Sequence, residues 1–567
     1  MEPDVDSDVA VQDAMKPLKA VAAAAALASL SACGGGGGEP GTLDENGRLV
    51  PASFESMTPE RAARLLNQAG LGATPDEVAQ VMSLGAQAWF DTQVAQPRGA
   101  SMWDWAKARG FDTVIYAQSD YGLDPTMWWR LSTAQDVLRQ RMVLALSEIF
   151  VVSPLNMVAY WRQFGCIAWW ELLEQHCFGN FRDLLTHVTL SPTMGVYLSM
   201  RGSAKADGSG RQPDENYARE LLQLFTIGLQ ELNPDGTVAQ PPRDTYSAST
   251  ISELAKVFTG WDVNSFNPFN PTGPFEYWRA PMDFNANRFD VSDKQVLGVS
   301  IPGSLSGPEA VGRALDAIFA HPNVAPFIAR QLIQRLVTSN PSAGYVWRVA
   351  RVFEDNGQTP PVRGDLGAVL KAILADAEAR PELTAPTPGA VNVQRDGKLR
   401  EPVLRLLHWL RLTRCTSVAW NVPDLSGSDY LGQAPMRSPS VFNFFRPGYV
   451  PPQTVMASEG LVAPEFQITN ESSVMGYLNF MWQLLVSSGL GVVQPDYTEW
   501  LTVADDVPEL VGRINLYLTG GALSAATVQT ITAGVVSIEG SAPAQRMNRV
   551  IAAFYLTMAS PEYLVQR

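Results

Sequence analysis

The segment Arg211-Gln212-Pro213-Asp214-Glu215-Asn216-Tyr217-Ala218-Arg219-Glu220-Leu221-Leu222-Gln223-Leu224-Phe225-Thr226-Ile227-Gly228 decides how the chain is read. It opens polar, turns at Pro213-Asp214, and then runs apolar at helical spacing through Leu221–Leu229. Asp214 is a residue type that caps a helix by accepting from its first backbone N–H groups. On the helix that follows, Glu215 and Arg219 are i, i+4 neighbours, and so are Asn216 and Glu220. Glu220 leads straight into Leu221-Leu222, which predicts partial burial; burial raises a carboxyl pKa and suits a general acid or base. Glu220 and Glu215 are therefore acid/base candidates, and Arg219 is a candidate to hold an anionic substrate or oxyanion. A capped helix carrying a structural ion pair is the competing reading of the same residues.

Outward from this segment the helical pattern continues. Thr58-Pro59 opens a helix that Gly70 ends, and Thr74-Pro75-Asp76-Glu77 is a capping box for one closed by Gly85. Thr250 with Glu253 and Ser306 with Glu309 repeat the cap spacing. Apolar residues recur at helical intervals through Met142–Phe150, Leu254–Phe258, Ala314–Phe319, Ile328–Leu336, Leu366–Leu374 and Leu404–Leu412. Residues 467–488, 507–519 and 543–560 read as helices too. Strand signals are few: a turn at Asn233-Pro234-Asp235-Gly236, and two short strands within the loop 262–303. Further irregular stretches lie at 381–397 and 434–466. The expected fold is mainly α, a multi-helix globular array with a few short strands and long ordered loops. Its helical regions span 58–205, 206–380 and 381–567, either as parts or as one continuous domain.

The 567 residues are 46% hydrophobic and 17% charged, which excludes wholesale disorder. Net charge is −15, with no Lys/Arg run, so the footprint of a nucleic-acid binder is missing. Four His and four Cys leave little material for a His- or Cys-rich metal centre, and no metal or cofactor is expected. The one calcium-like spacing, Asp283-Phe284-Asn285-Ala286-Asn287, fails at Arg288 and Lys294, where Gly and a bidentate Glu belong. The motifs of metalloproteases, serine hydrolases, P-loop nucleotide sites and c-type haem are all absent from the sequence.

The N-terminus carries an address. Residues 1–14 hold five acids and no base, whereas Lys16 and Lys19 precede an apolar run of 11 residues, Ala20–Leu30. That order points to Met15 as the start. Leu30-Ser31-Ala32-Cys33 resembles a bacterial lipobox, so residues 1–32 are the expected signal peptide and Cys33 the lipidated residue. Residues 33–57 are then a Gly-rich tether and linker. The run is too short to cross a bilayer, which takes roughly 20 residues, so lipid alone anchors the chain. Gly34 after the Cys favours the outer membrane. Cys166 and Cys177 fall on one predicted helix, roughly 16 Å apart along its axis, beyond disulfide reach of about 4.4–6.8 Å.

Other residues carry competing readings. His176, His187, His321 and His408 read as capping or core groups, or as isolated bases. Eight of the 15 Trp fall between residues 89 and 170 and read as core, or as a sugar-stacking surface. In Arg437-Ser438-Pro439-Ser440-Val441-Phe442-Asn443-Phe444-Phe445-Arg446-Pro447, Arg437 and Arg446 bracket hydroxyls and aromatics. They either clamp an anion or belong to a loop packed on the core.

Several blocks together resemble one bacterial family, the domain of unknown function 1800 (DUF1800). They are Arg64–Pro75, Phe178–Leu185, Arg211–Gly228, Phe258-Thr259-Gly260-Trp261, Arg400-Glu401-Pro402 and Arg437–Phe445. The resemblance implies an extracytoplasmic, mostly helical protein without an agreed activity. It also implies, as a neighbour, a secreted phosphatase- or sulfatase-like partner of the domain of unknown function 1501 family. The chain departs from the family's pattern where many members have His: at Arg64, at Leu146-Ser147-Glu148-Ile149 in place of Trp-His-Asn-His, and at Phe289-Asp290. Any metal site that relatives build from those histidines is not carried over. Two functions follow as expectations. One is an accessory or scaffold protein for a secreted envelope partner. The other is a hydrolase or other enzyme acting on an envelope or environmental polymer, in which Glu220 and Arg437 converge on one concave site.

Overall fold

The computed structural model describes residues 53–263, 272–380, 397–487 and 489–567. The expected signal peptide, Cys33 and most of the tether lie outside the described residues, as does nearly all of the 381–397 stretch. The architecture is mainly α: among the described residues, 23 α-helices are joined by long loops and three two-stranded antiparallel sheets. No helix among them is long and apolar enough to cross a membrane.

Local chemistry sets the helix ends. Thr58 and Thr74 accept from the backbone N–H of Arg61 and Glu77, starting helices Pro59–Ala69 and Pro75–Leu84. Ser306 and Glu309 close a reciprocal capping box on Gly307–Phe319. The cap predicted at Thr250 lies three residues earlier. Ser247 caps Ala248–Val257 and Thr250 is its reciprocal partner, because a hydroxyl at that position returns the hydrogen bond as a carboxyl would. Helix Ala525–Val536 lies between two predicted helices and has no counterpart in the sequence reading. The loop 262–303 holds short antiparallel pairs, Trp261-Asp262 with Asp283-Phe284 and Lys294–Val296 with Val299–Ile301. The Asn233–Gly236 turn joins bridged residues Leu232 and Val238.

The buried apolar residues form one cluster running from Ala62 to Val565. Helix Pro59–Ala69 packs on Val507–Thr519, which packs on Pro543–Met558; Val324–Leu336 packs on Ala343–Glu354, and that on Leu366–Ala375. Lys398-Leu399 pairs with Val565-Gln566, and Arg64 Nε donates to the Arg567 carbonyl. Trp89, Trp128, Trp169 and Trp170 are buried, and the partly buried Trp105 and Trp129 stack at 4.6 Å. Cys166 lies on helix Arg162–His176 and Cys177 caps its end; both are buried free thiols, pushed up to about 12 by desolvation.

Candidate functional site

The segment 211–228 folds less simply than its periodicity suggests. Asp214 Oδ1 accepts from Asn216 N at 2.9 Å, but the cap position of the short helix Asn216–Glu220 is Glu215, one residue later than expected and without a side-chain cap hydrogen bond. The chain then widens into a π-helix over Leu221–Thr226, with Ile227 N donating back to the Leu222 carbonyl. The extra residue per turn turns Gln223 and Leu224 outward, and such irregularities gather at functional sites. Gly228 follows at φ +71°, and a Cβ there would lie 2.8 Å from the Phe327 ring. Only glycine carries the chain tightly over that ring into the hairpin beyond. Asn323, buried, holds this turn: its Nδ2 donates to the carbonyls of Ile227 and Gln230, and its Oδ1 accepts from Leu232 N.

The π-helix, the hairpin, helix Val324–Leu336 and the loop after Arg437 enclose a cavity of about 920 Å³. Helix Val324–Leu336 turns one face to it. Phe327, Arg330, Gln331, Gln334 and Arg335 follow the i, i+3, i+4, i+7, i+8 spacing of a single stripe. The loop adds Val441, Phe442 and Arg446, with the Arg446 guanidinium 4.9 Å from the Phe442 ring centroid. Leu224, Ile227, Leu229 and Val238 make the walls largely apolar. Among the described residues Arg330 and Arg446 have no carboxylate within ion-pair distance; Arg330 NH1 donates only to the Gly236 carbonyl, at 3.4 Å. Asp244, exposed at the rim, is the one acid besides Glu148 on the lining.

Glu148 forms part of the lining where the cavity meets a buried charge cluster. Arg335 Nε lies 3.3 Å from Glu148 Oε2. The Gln433 amide donates to Glu148 Oε1 at 3.2 Å and to Glu401 Oε2 at 2.9 Å. Lys398 Nζ donates to Glu401 Oε1 at 3.1 Å and the Arg335 carbonyl at 2.8 Å, and sits 2.9 Å from Glu465 Oε1. Burial, followed by the Glu401 charge, pushes Glu148 well above the usual carboxyl range. Burial also opposes the Glu401 charge, but Lys398, a hydrogen bond from Glu148, Arg141 and Gln433 outweigh it and hold Glu401 low. The two carboxyls are thus pushed in opposite directions, Glu148 up and Glu401 down.

The structure brings Arg446 to this cavity, together with Gln223 and Leu224 of the 211–228 segment. It does not bring Glu220, Glu215, Arg219 or Arg437 to the lining. Glu220 is buried, its pKa raised by desolvation against the pull of Arg219, and its Oε2 has no hydrogen-bond partner. Glu215 pairs with Arg219 at 3.0 Å on the surface and accepts from Ser252 Oγ. Arg437 is buried and bound by the carboxylates of Asp120 and Asp124, with Asp424 at 3.7 Å. Its charge is already neutralised. A second cavity of about 410 Å³ is lined by His176, His187, Arg98, Glu171 and Arg279, and its two imidazoles stack at 3.9 Å. His408 is buried, accepting from Arg400 and donating to the Ala73 carbonyl. In the Asp283–Asn287 loop, Asn285 Oδ1 accepts from Asn287 N. No group of three or more His, Cys, Asp or Glu placed to hold a metal occurs among the described residues.

Sequence reading missed Arg330, Arg335 and Glu148. Arg330-Gln331 and Gln334-Arg335 repeat a polar pair at i+4 within an otherwise apolar helix, which was a usable signal. Glu401 lies in a block that carried the family resemblance, whereas Glu148 lies where the chain departs from the family's pattern. A family model described as "Protein of unknown function (DUF1800)" matches residues 64–565. No curated protein and no solved structure matches the chain.

Proposed function

Because the chain belongs to the DUF1800 family, whose description assigns no activity, its function has to be read from its own residues, and we propose that it is a lipid-anchored envelope protein that captures an anionic ligand in the 920 Å³ cavity. The observation that carries this reading is the cation balance of the cavity. Three guanidinium groups line it, two without a carboxylate partner among the described residues, in a chain of net charge −15. Guanidinium groups stay charged and match oxyanions in geometry. The apolar walls favour a ligand with an apolar portion beside its acidic group. The lipobox at Leu30–Cys33 supports the anchor, with the outer membrane as the expected location. In this role the protein is an accessory that holds or presents the ligand to a secreted partner, for which the phosphatase- or sulfatase-like neighbour family is the candidate.

Calorimetry with inorganic phosphate and with benzoate tests the cavity. Each charge-assisted hydrogen bond contributes about 1.5–3 kcal/mol, so Arg330→Met combined with Arg446→Met weakens saturable binding at least about tenfold. Neither probe binding, or both binding the double variant unchanged, removes the reading. Cys33→Ala tests the anchor separately: it releases the chain from the membrane, and unchanged membrane association defeats the lipobox assignment. A second reading, an enzyme acting on an envelope polymer, is favoured by the carboxyl pair at the edge of the cavity.

A further inference from the structure

We propose that Glu148 and Glu401 share one proton, and that Glu148 carries it to the cavity as a hydrogen-bond and proton donor for the oxyanion that the arginines hold. The ligand class is then a phosphoryl or carboxyl compound with a proton-accepting oxygen. This rests on the cavity being the ligand site proposed above; the proton pair itself does not.

The geometry carries the inference. One amide, Gln433 Nε2, donates to both carboxyls and so holds them side by side in the interior. Their surroundings differ. Glu401 has both oxygens engaged by donors, Oε1 by Lys398 and Oε2 by Gln433. Glu148 Oε2 is buried with no hydrogen-bond donor, and its nearest cation is Arg335 Nε at 3.3 Å. Two like charges held this closely do not both persist out of water. The carboxyl beside the ammonium keeps its charge; the other takes the proton.

The charged groups around the pair come from four segments. They are Arg141 from helix Val137–Ser147, Arg335 from Val324–Leu336, Lys398 from the short strand Lys398-Leu399, and Glu465 from the turn Pro464–Ile468. Of the pair only Glu148 lines the cavity, together with Arg335. Below its raised pKa the neutral acid donates to a bound oxyanion. Above it, a second carboxylate repels the same ligand.

Infrared spectroscopy of the full chain at pH 7 tests the shared proton without any ligand. The protonated-carboxyl C=O stretch contains a component lost in Glu148→Gln. The same component is lost in Glu401→Gln, where removing the neighbouring charge lets Glu148 ionise beside Arg335. Glu401→Gln keeps the test decisive if Glu148→Gln fails to fold. A spectrum unchanged in both variants overturns the proposal. Benzoate affinity then tests the role. In the wild type it falls as pH rises through the Glu148 titration, up to about tenfold per pH unit, whereas in Glu148→Gln it stays level. A level wild-type profile overturns the donor role. Benzoate failing to bind either protein sinks the ligand reading while the infrared result still decides the proton pair.

Discussion

Replacing Lys398 by Met removes one ammonium and almost no volume from the most charged part of the interior. The Lys398 side chain is 1% exposed, and Nζ reaches Glu401, Glu465 and the Arg335 carbonyl within 3.1 Å. Glu465 has no other ion pair among the described residues, and apart from that ammonium neither of its oxygens has a hydrogen-bond partner among them. The variant therefore strands two buried carboxylates. Breaking a buried pair from one side costs about 3–5 kcal/mol. Most of that cost is charge, so it depends on pH with a definite sign. In the wild type the Glu401 pKa is depressed on folding. Its stabilisation is present above the unfolded carboxyl pKa of about 4.3 and is lost as pH falls toward the folded value. The difference between wild type and Lys398→Met is then largest at pH 7 and narrows below about pH 4.3. Urea unfolding at pH 7 and pH 4, followed by circular dichroism, measures both. A loss under about 1 kcal/mol at pH 7, or an equal loss at both pH values, refutes the account of Lys398 as the counter-charge of this cluster.

Three further outcomes are expected. Arg437→Met leaves Asp124 buried without its cation and lowers stability at pH 7 by about 3–5 kcal/mol, while benzoate binding per folded molecule is unchanged because Arg437 does not line the cavity. His176 titrates at about 4, held down by burial and by the neighbouring His187. Its folded pKa lies below its unfolded one, so stability falls as pH drops below about 6.5; His187→Ala moves the titration upward, read from the histidine ring signals of a chain with four His. Gly228→Ala forces a left-handed backbone and a Cβ onto the Phe327 ring, costing at least about 1–2 kcal/mol in thermal or urea unfolding and weakening benzoate binding, since Phe327 and Gly228 both line the cavity.

The helical class was legible because its signals are local. Thr58, Thr74 and Ser306 announce helix starts through neighbours three residues away, and Gly70 and Gly85 mark ends. Thr250 with Glu253 misled for the same reason: the spacing is right, but Ser247 has the hydroxyl that meets the free backbone N–H groups first. The π-helix was hidden, since Leu221–Thr226 has ordinary helical composition. The candidate site was legible only in part. Arg446 was singled out from its surroundings, whereas Glu148, Arg335, Lys398, Glu401 and Glu465 meet across long stretches of chain that no spacing rule connects. Glu220 and Arg437 both have the chemistry of a site, but Arg437 is bound by aspartates and neither residue lines the cavity.

The junction of the two ends of the described chain bears on timing. Arg64 Nε donates to the Arg567 carbonyl across 503 residues, and Lys398-Leu399 has no strand partner until Val565-Gln566 arrives. Contacts of such separation form late, after loop closure over most of the chain. During synthesis on a ribosome, helix Pro59–Ala69 emerges long before helix Val507–Thr519, on which it packs. The helix Pro59–Ala69 therefore reaches its final packing only once the chain beyond residue 507 is available.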